Sequence, residues 1–315
     1  MFSIPTSWEF ASLICKFLLY FGTATIAGGS LCLWRFSDGR QKAIHFNLSY
    51  IILGALLGFQ ASLLNFLIQI GLINDDGFSG MFDWSMGSLL LDTQLGDVTI
   101  VRLACFTLVL ISNVLFQRKV NSLTRPPDRR FYATVMAVNG ATMLLLLFTF
   151  RQAGHVSVLS LTAQIAIGLH VLCMAIWVGS LCPLLVMTGI LASSGDSGSL
   201  QSMMKHFGDL AIGVVLVLLL SGVLMLLQLF GSFGEVFSSA YGLSMLAKLT
   251  LVLGLLAIAG LNKFVLVPKL IDGDGGFNRE GVGSLKQSIR SEIVVASLIL
   301  LLTTYLSTIV GPAGH

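Results

Sequence analysis

The chain has 315 residues, 55% of them hydrophobic and only 10% charged, with a formal net charge of +3 and a mean hydropathy of +0.90. That balance excludes a soluble globular domain, and so small a net charge gives no ground for a nucleic-acid partner. Apolar runs near or above the roughly 20 residues that cross a bilayer recur along the chain, and alternating barrel-type strands are absent. The expected fold is therefore an all-α integral membrane protein, a polytopic bundle of about eight transmembrane helices with the lipid bilayer as its solvent.

The first span is expected from Phe10 to Trp34 and reads as a retained helix, because its apolar stretch is too long for a cleaved leader. It ends at Arg35, Arg40 and Lys42, a loop that reads as cytoplasmic. The second span, Ala43 to Ile73, leads into NDDGFSGMFDWSMGSLLLDTQLGDV, which has five aspartates and no Lys or Arg. That segment reads as external, with a short interfacial helix around Trp84.

Span three is expected over Val98 to Gln117, followed by the basic, Pro-Pro-containing loop RKVNSLTRPPDRR. Span four covers Phe131 to Phe150. Span five, Leu161 to Leu191, contains Pro183, which removes a backbone hydrogen bond and predicts a kink. Its exit, SSGDSGSLQSMMKHFG, reads as a flexible cytoplasmic loop. Spans six, seven and eight are expected over Asp209 to Phe230, Gly242 to Val267 and Ile289 to Val310. The pattern divides into two four-helix halves, 1–150 and 151–315, with both termini periplasmic.

Charge placement supports this topology. Of the 18 basic residues, all but Lys16, Arg102, Arg151 and Lys248 fall in or beside the four proposed cytoplasmic loops. Those four lie at or within the outer parts of spans, where long side chains can reach toward headgroups. The five cysteines, Cys15, Cys32, Cys105, Cys173 and Cys182, all lie in apolar segments, so no disulfide framework is expected. Loops of at most about 25 residues hold no nucleotide-binding fold, and P-loop and Rossmann glycine patterns are absent.

One stretch carries chemistry. On a helix, His170, Cys173, Met174 and Trp177 fall at i, i+3, i+4 and i+7, forming one stripe of imidazole, thiol, thioether and indole. A histidine inside a span needs an interior partner, and this donor set suits Cu(I) rather than hard ions. The bland reading is that Cys173, Met174 and Trp177 fill the bundle core. His155, in the external turn ahead of span five, lies about 22 Å from His170 if the intervening chain is helical, which suggests an outer mouth and an interior ligand. Met81 and Met86 sit among the external aspartates, an arrangement that would attract a soft cation, or simply anchor an interfacial helix. Asn65, Asn139 and Asn262 offer hydrogen bonds between helices.

In sum, the sequence resembles the bacterial copper resistance protein D (CopD) family. The resemblance rests on GH at Gly154 and His155, LHVLCMAIWVGSL at Leu169 to Leu181, and HFGDLA from His206. It continues with SG at Ser221 and Gly222, YGLSMLAKLTLVLGLLAIAGLNKFVLVPKL from Tyr241, SIRSEI at Ser288 to Ile293 and, more loosely, LLLDTQLG before span three. It implies an eight-span inner-membrane protein of copper handling that works with a periplasmic copper-binding protein of the copper resistance protein C type. Two positions depart from the family pattern: Lys16 stands where a first-span histidine is expected, and Ile167 where a histidine one turn before His170 is expected. The resemblance then implies either a smaller ligand set or one completed by Cys15, Met174 or Cys173.

The expected function is copper transport or transfer across the inner membrane, with uptake toward the cytoplasm and no enzymatic step. Two other readings stay open. One is a haem b-binding electron-transfer protein or cupric reductase, for which axial ligands on both haem faces are needed. The other is a structural or sensory partner of a periplasmic copper protein.

Overall fold

The computed structural model describes residues 5–74, 77–152, 160–229, 237, 239–271 and 278–310. Among them are nine α-helices: α1 (Ser7–Phe36), α2 (Gln41–Asn74), α3 (Trp84–Leu91), α4 (Gln94–Ser122), α5 (Arg129–Gln152), α6 (Leu161–Ser193), α7 (Ser197–Leu229), α8 (Ala240–Leu261) and α9 (Arg279–Tyr305). All but the short α3 are long and apolar enough to cross a membrane, giving eight candidate spans. The protein is thus an all-α polytopic membrane protein, and α3 is the short helix expected around Trp84.

The helix starts follow local chemistry. Thr6 and Glu9 form a capping box at α1: the Glu9 amide donates to Thr6 Oγ1, and the Thr6 amide donates to Glu9 Oε2. Asp83 caps α3 by accepting from the Ser85 and Met86 amides, Ser160 caps α6, and Asn278 caps α9. At α8 the helix widens into a π turn over Asn262–Leu266, closed by the Val267 amide on the Asn262 carbonyl, before Pro268 ends the run.

Two helices begin earlier than hydropathy suggests. The segment expected to be a flexible exit from span five is helical from Ser197. Its residues Leu200, Met203, Met204 and Phe207, at helical spacing, are buried against α6 and the end of α1. Asp196 caps this helix through the Ser199 amide, and the link from α6 is a tight turn with Gly195 at φ +70. Likewise, α9 starts at Arg279, inside a stretch that reads as glycine-rich loop, because Val282 and Leu285 are buried on its inner face. Helix α6 runs unbroken through Pro183.

Helices α1 and α6 form the spine. One core cluster joins Leu19, Ala24 and Ile26 of α1 with α2, α4, α5 and the first half of α6; the other joins Cys32 and Phe36 of α1 with the second half of α6 and with α7, α8 and α9. The α4–α5–α1 contact is pinned by buried amides. Asn113 donates to Asn139 Oδ1 at 2.8 Å, and Asn139 donates to Ser30 Oγ at 2.8 Å. Hydrogen bonding by Asn139 between helices is as the sequence suggests; Asn113 and Ser30 were not singled out.

The antiparallel helices gather Arg35, Arg40, Arg118, Lys119, Arg129, Arg130 and Lys263 at one end of the bundle, called here the basic end. Glu9, Asp83, Asp92 and Asp97 gather at the other, the acidic end. At the basic end Arg40 donates to Asp196 at 2.7 Å and to Asp38 at 3.2 Å, tying the α1–α2 turn to the α6–α7 turn.

Candidate metal site around His170

His170 lies on α6, about two and a half turns from its start at the acidic end, half-buried against α7. Its Nδ1 is 3.1 Å from the Leu218 carbonyl oxygen and 3.2 Å from Ser221 Oγ. The Ser221 hydroxyl itself donates to the Leu218 carbonyl at 3.0 Å. A carbonyl only accepts, so the contact with Leu218 requires the proton on Nδ1. Nε2 then keeps its lone pair, and no described residue engages that atom. Holding one imidazole nitrogen by a carbonyl while leaving the other bare is how proteins orient a histidine for a metal.

The room for the ring comes from Gly222. A Cβ there would stand 3.3 Å from His170 Cε1, tighter than an ordinary contact. Ser221 and Gly222, which carried part of the family resemblance as a bare dipeptide, thus act as the holder and the clearance for the imidazole.

The other proposed ligands are distributed as follows. Cys173 is buried one turn further along α6, and Met174 is half-buried beside it at the edge of the core cluster that also takes Met225 of α7. Trp177 is buried in the neighbouring cluster. Met81 is buried in a small cluster with Cys15 and Ile68, against Trp8. Met86 is half-exposed on α3, its amide bonded to Asp83. His155 lies outside the described residues. Among the described residues no three His, Cys, Asp or Glu side chains converge as a closed metal cage. What α6 offers is one imidazole held through Nδ1, with a buried thiol and a half-buried thioether one turn along the helix.

Four basic residues lie within or at the outer parts of spans, and one of them acts on His170. Lys248 of α8 is half-buried and within electrostatic reach of His170. Lys16 donates at 2.9 Å to the carbonyl of Ser307, in the π turn Leu306–Val310 that follows α9. Arg102 donates to Thr149 Oγ1 at 3.0 Å and lies over the Phe150 ring at 5.1 Å. At the basic end, a separate open cavity of about 590 Å³ is lined by Arg35, Arg40, Arg129, Tyr132 and His206. Near the acidic-end loop, hydrogen bonds from Ser85 and Met86 hold the Asp83 carboxyl below its ordinary value.

Fold and site together define a polytopic helical membrane protein with a histidine inside a span, held through Nδ1 by α7. Residues 7–155 match the copper resistance protein D-like N-terminal domain, and residues 201–306 match copper resistance protein D. The chain belongs to the copper resistance protein D family. It is also similar to inner membrane protein YebZ of Escherichia coli, with 25% identity over 211 residues. That alignment covers 64% of this chain and 65% of the relative, just under two thirds of its length. No solved structure matches the chain.

Proposed function

We propose that this protein moves or transfers copper across the bacterial inner membrane, with His170 Nε2 as an interior ligand for Cu(I). The observation that carries the reading is the locked imidazole: Leu218 and Ser221 hold Nδ1, so the lone pair of Nε2 is free on a stripe that also presents Cys173 and Met174. Imidazole with thiol and thioether suits a soft monovalent ion. Membership of the copper resistance protein D family supports copper as cargo, and the name of the E. coli relative supports an inner-membrane location.

The preferred direction is uptake. By the charge rule, the end bearing Glu9, Asp83, Asp92 and Asp97 faces the periplasm, where both termini would also lie. An acidic surface there would draw a cation or a copper-loaded periplasmic protein of the copper resistance protein C type. Met81 and Met86 belong to the same end, and these two with His155 would act upstream of His170. No catalytic step is required of such a pathway.

The test is Cu(I) competition against a chromophoric chelator with the purified full chain, wild type beside His170→Ala. Loss of at least tenfold in affinity, with unchanged thermal unfolding, is the expected result. Equal affinity in the two proteins sinks the role of His170. A Soret band in the protein as purified would replace copper with haem.

A further inference from the structure

The geometry points to a proton-binding site between α8 and α9: Glu292 holds its proton as a neutral carboxylic acid, paired with the side-chain amide of Asn262. This site lies apart from the His170 stripe, and none of its argument depends on copper.

Both groups are withdrawn from solvent, Glu292 at 5% and Asn262 at 6% exposure, and both belong to helices that cross the membrane. Asn262 Nδ2 donates to Glu292 Oε1 at 2.9 Å. The other end of the same amide, Asn262 Oδ1, is buried with no hydrogen-bond partner among the described residues. A buried amide oxygen left bare is costly, as is an ionised carboxylate in a span without a cation.

One proton resolves both. A carboxylic acid and a primary amide present matched edges, each with one donor and one acceptor. With Asn262 Nδ2 already donating to Oε1, a proton on Glu292 Oε2 supplies the donor that Asn262 Oδ1 lacks. Without it, Asn262 Oδ1 stays a buried acceptor with no donor among the described residues.

No cation competes for the role. The elements packed against α9 are α8 with its π turn, the Pro268–Leu270 turn, α6 and α1. On α8 and the turns the amines are Lys248, Lys263 and Lys269. Lys263, next to Asn262, is committed to Asp209 of α7 at 2.6 Å. Helix α6 brings only His170, Cys173 and Cys182 as titratable groups; α1 brings Glu9, Cys15, Tyr20 and Cys32, none of them a cation, with Lys16, already on the Ser307 carbonyl, and Arg35 at its far end. On α9 itself, Lys286 and Arg290 precede Glu292. None of these forms an ion pair with Glu292 among the described residues.

The site is placed for exchange. Asn262 opens the π turn that ends α8, and π turns occur often at functional positions because they leave local backbone and side-chain geometry adjustable. Arg290, two residues before Glu292 on the side of the basic end, is exposed, and its charge marks the direction from which a proton would arrive. The step is a plain acid–base exchange, in which the Glu292 Oε2 proton passes to water of the basic side and returns.

The experiment is infrared difference spectroscopy on the copper-free full chain in lipid nanodiscs, with a pH series and transfer to heavy water. The wild type is expected to show, near neutral pH, a carboxylic-acid C=O band that shifts in heavy water and disappears as the pH rises. Glu292→Gln should lose that band entirely while unfolding at the wild-type temperature, because the Gln amide supplies an N–H for Asn262 Oδ1 and keeps an acceptor for Nδ2. Asn262→Leu should keep the acid band but move its frequency. Absence of the band in the wild type overturns the proposal, as does its persistence in Glu292→Gln. Stabilisation by sodium or potassium without an acid band would assign the oxygen pair to a metal cation and overturns it too. Because no copper is present, these outcomes leave the His170 reading untouched.

Discussion

Gly28 of α1 and Gly179 of α6 put two helix backbones in direct contact. A Cβ at Gly28 would overlap the peptide joining Gly179 and Ser180, and one at Gly179 would overlap the Ala24 carbonyl. In a bilayer, where lipid is as apolar as the side chains, such close approach is a principal source of helix association. Because α1 and α6 enter both core clusters, this crossing sets the register of the two halves.

Gly179→Ala is therefore expected to destabilise the protein by about 3 kcal/mol or more, since backbone cannot move aside as a side chain would. Gly140→Ala is the control, because a Cβ there meets nothing within 4 Å. It should be neutral or stabilising by up to about 1 kcal/mol from helix propensity. Thermal unfolding in detergent, read by size-exclusion chromatography, separates the two; equal melting temperatures would show that the crossing carries no stability.

Much of this architecture is legible in the sequence, for identifiable reasons. Eight apolar runs and the segregation of Arg and Lys give the spans, and the membrane's penalty on ionisable groups singles out His170. What escapes is whatever hydropathy averages away. Leu200, Met203, Met204 and Phe207 make a clean helical stripe, but the serines and glycines around them lower the local hydropathy and disguise the start of α7. The beginning of α9 is hidden in the same way by Gly281 and Gly283. The partners of His170 depend on the register between α6 and α7, which no local pattern encodes, so Ser221 and Gly222 were visible only as a motif. Met81 reads as a free external donor, yet the 3₁₀ turn over Gly77–Phe82 folds it back against Cys15 and Trp8.

The holder of His170 can be tested without removing the ligand. Ser221→Ala deletes one of the two groups on Nδ1 and leaves the Leu218 carbonyl, so Cu(I) affinity should fall about tenfold, the low end for outer-shell groups. Gly222→Ala pushes a methyl against Cε1 and should cost as much or more by turning the ring. Chelator competition measures both, and unchanged affinity in both variants would mean that the ring orientation does not matter.

The buried amide chain should contribute to stability more than to transport. Asn139→Ala removes the bonds to Asn113 and Ser30 and leaves both without their partner. Interhelical hydrogen bonds in membranes average about 0.6 kcal/mol with a maximum near 1.7, so a loss of about 1 to 2 kcal/mol is expected once the stranded groups are included. Copper affinity measured on the folded fraction should stay at the wild-type value.

At the basic end, the Asp196 carboxyl is held below its ordinary value, first by the Ser199 amide and hydroxyl and then by Arg40. A depressed carboxylate stabilises the folded state above its unfolded value of 3.8, and that contribution disappears as the pH falls through the lower folded value. Asp196→Asn should therefore melt below the wild type at neutral pH, with the gap closing on acidification below about pH 4. A gap independent of pH would assign the effect to helix capping alone.

Lys248 supplies the sharpest test of whether a cation reaches His170. Its ammonium is within electrostatic reach of the imidazole from α8, and no described residue neutralises it. A positive charge there opposes a copper ion on Nε2, with a cost on the order of 1 kcal/mol at the effective dielectric of such sites, or about fivefold in affinity. Lys248→Met keeps the apolar stem and removes the charge, so Cu(I) should bind about fivefold more tightly while the protein unfolds at the same temperature or higher. If the ligand of the stripe were an anion, the same substitution would weaken binding instead. The sign of the change in chelator competition therefore distinguishes a cation site from an anion site without reference to which residues complete the coordination.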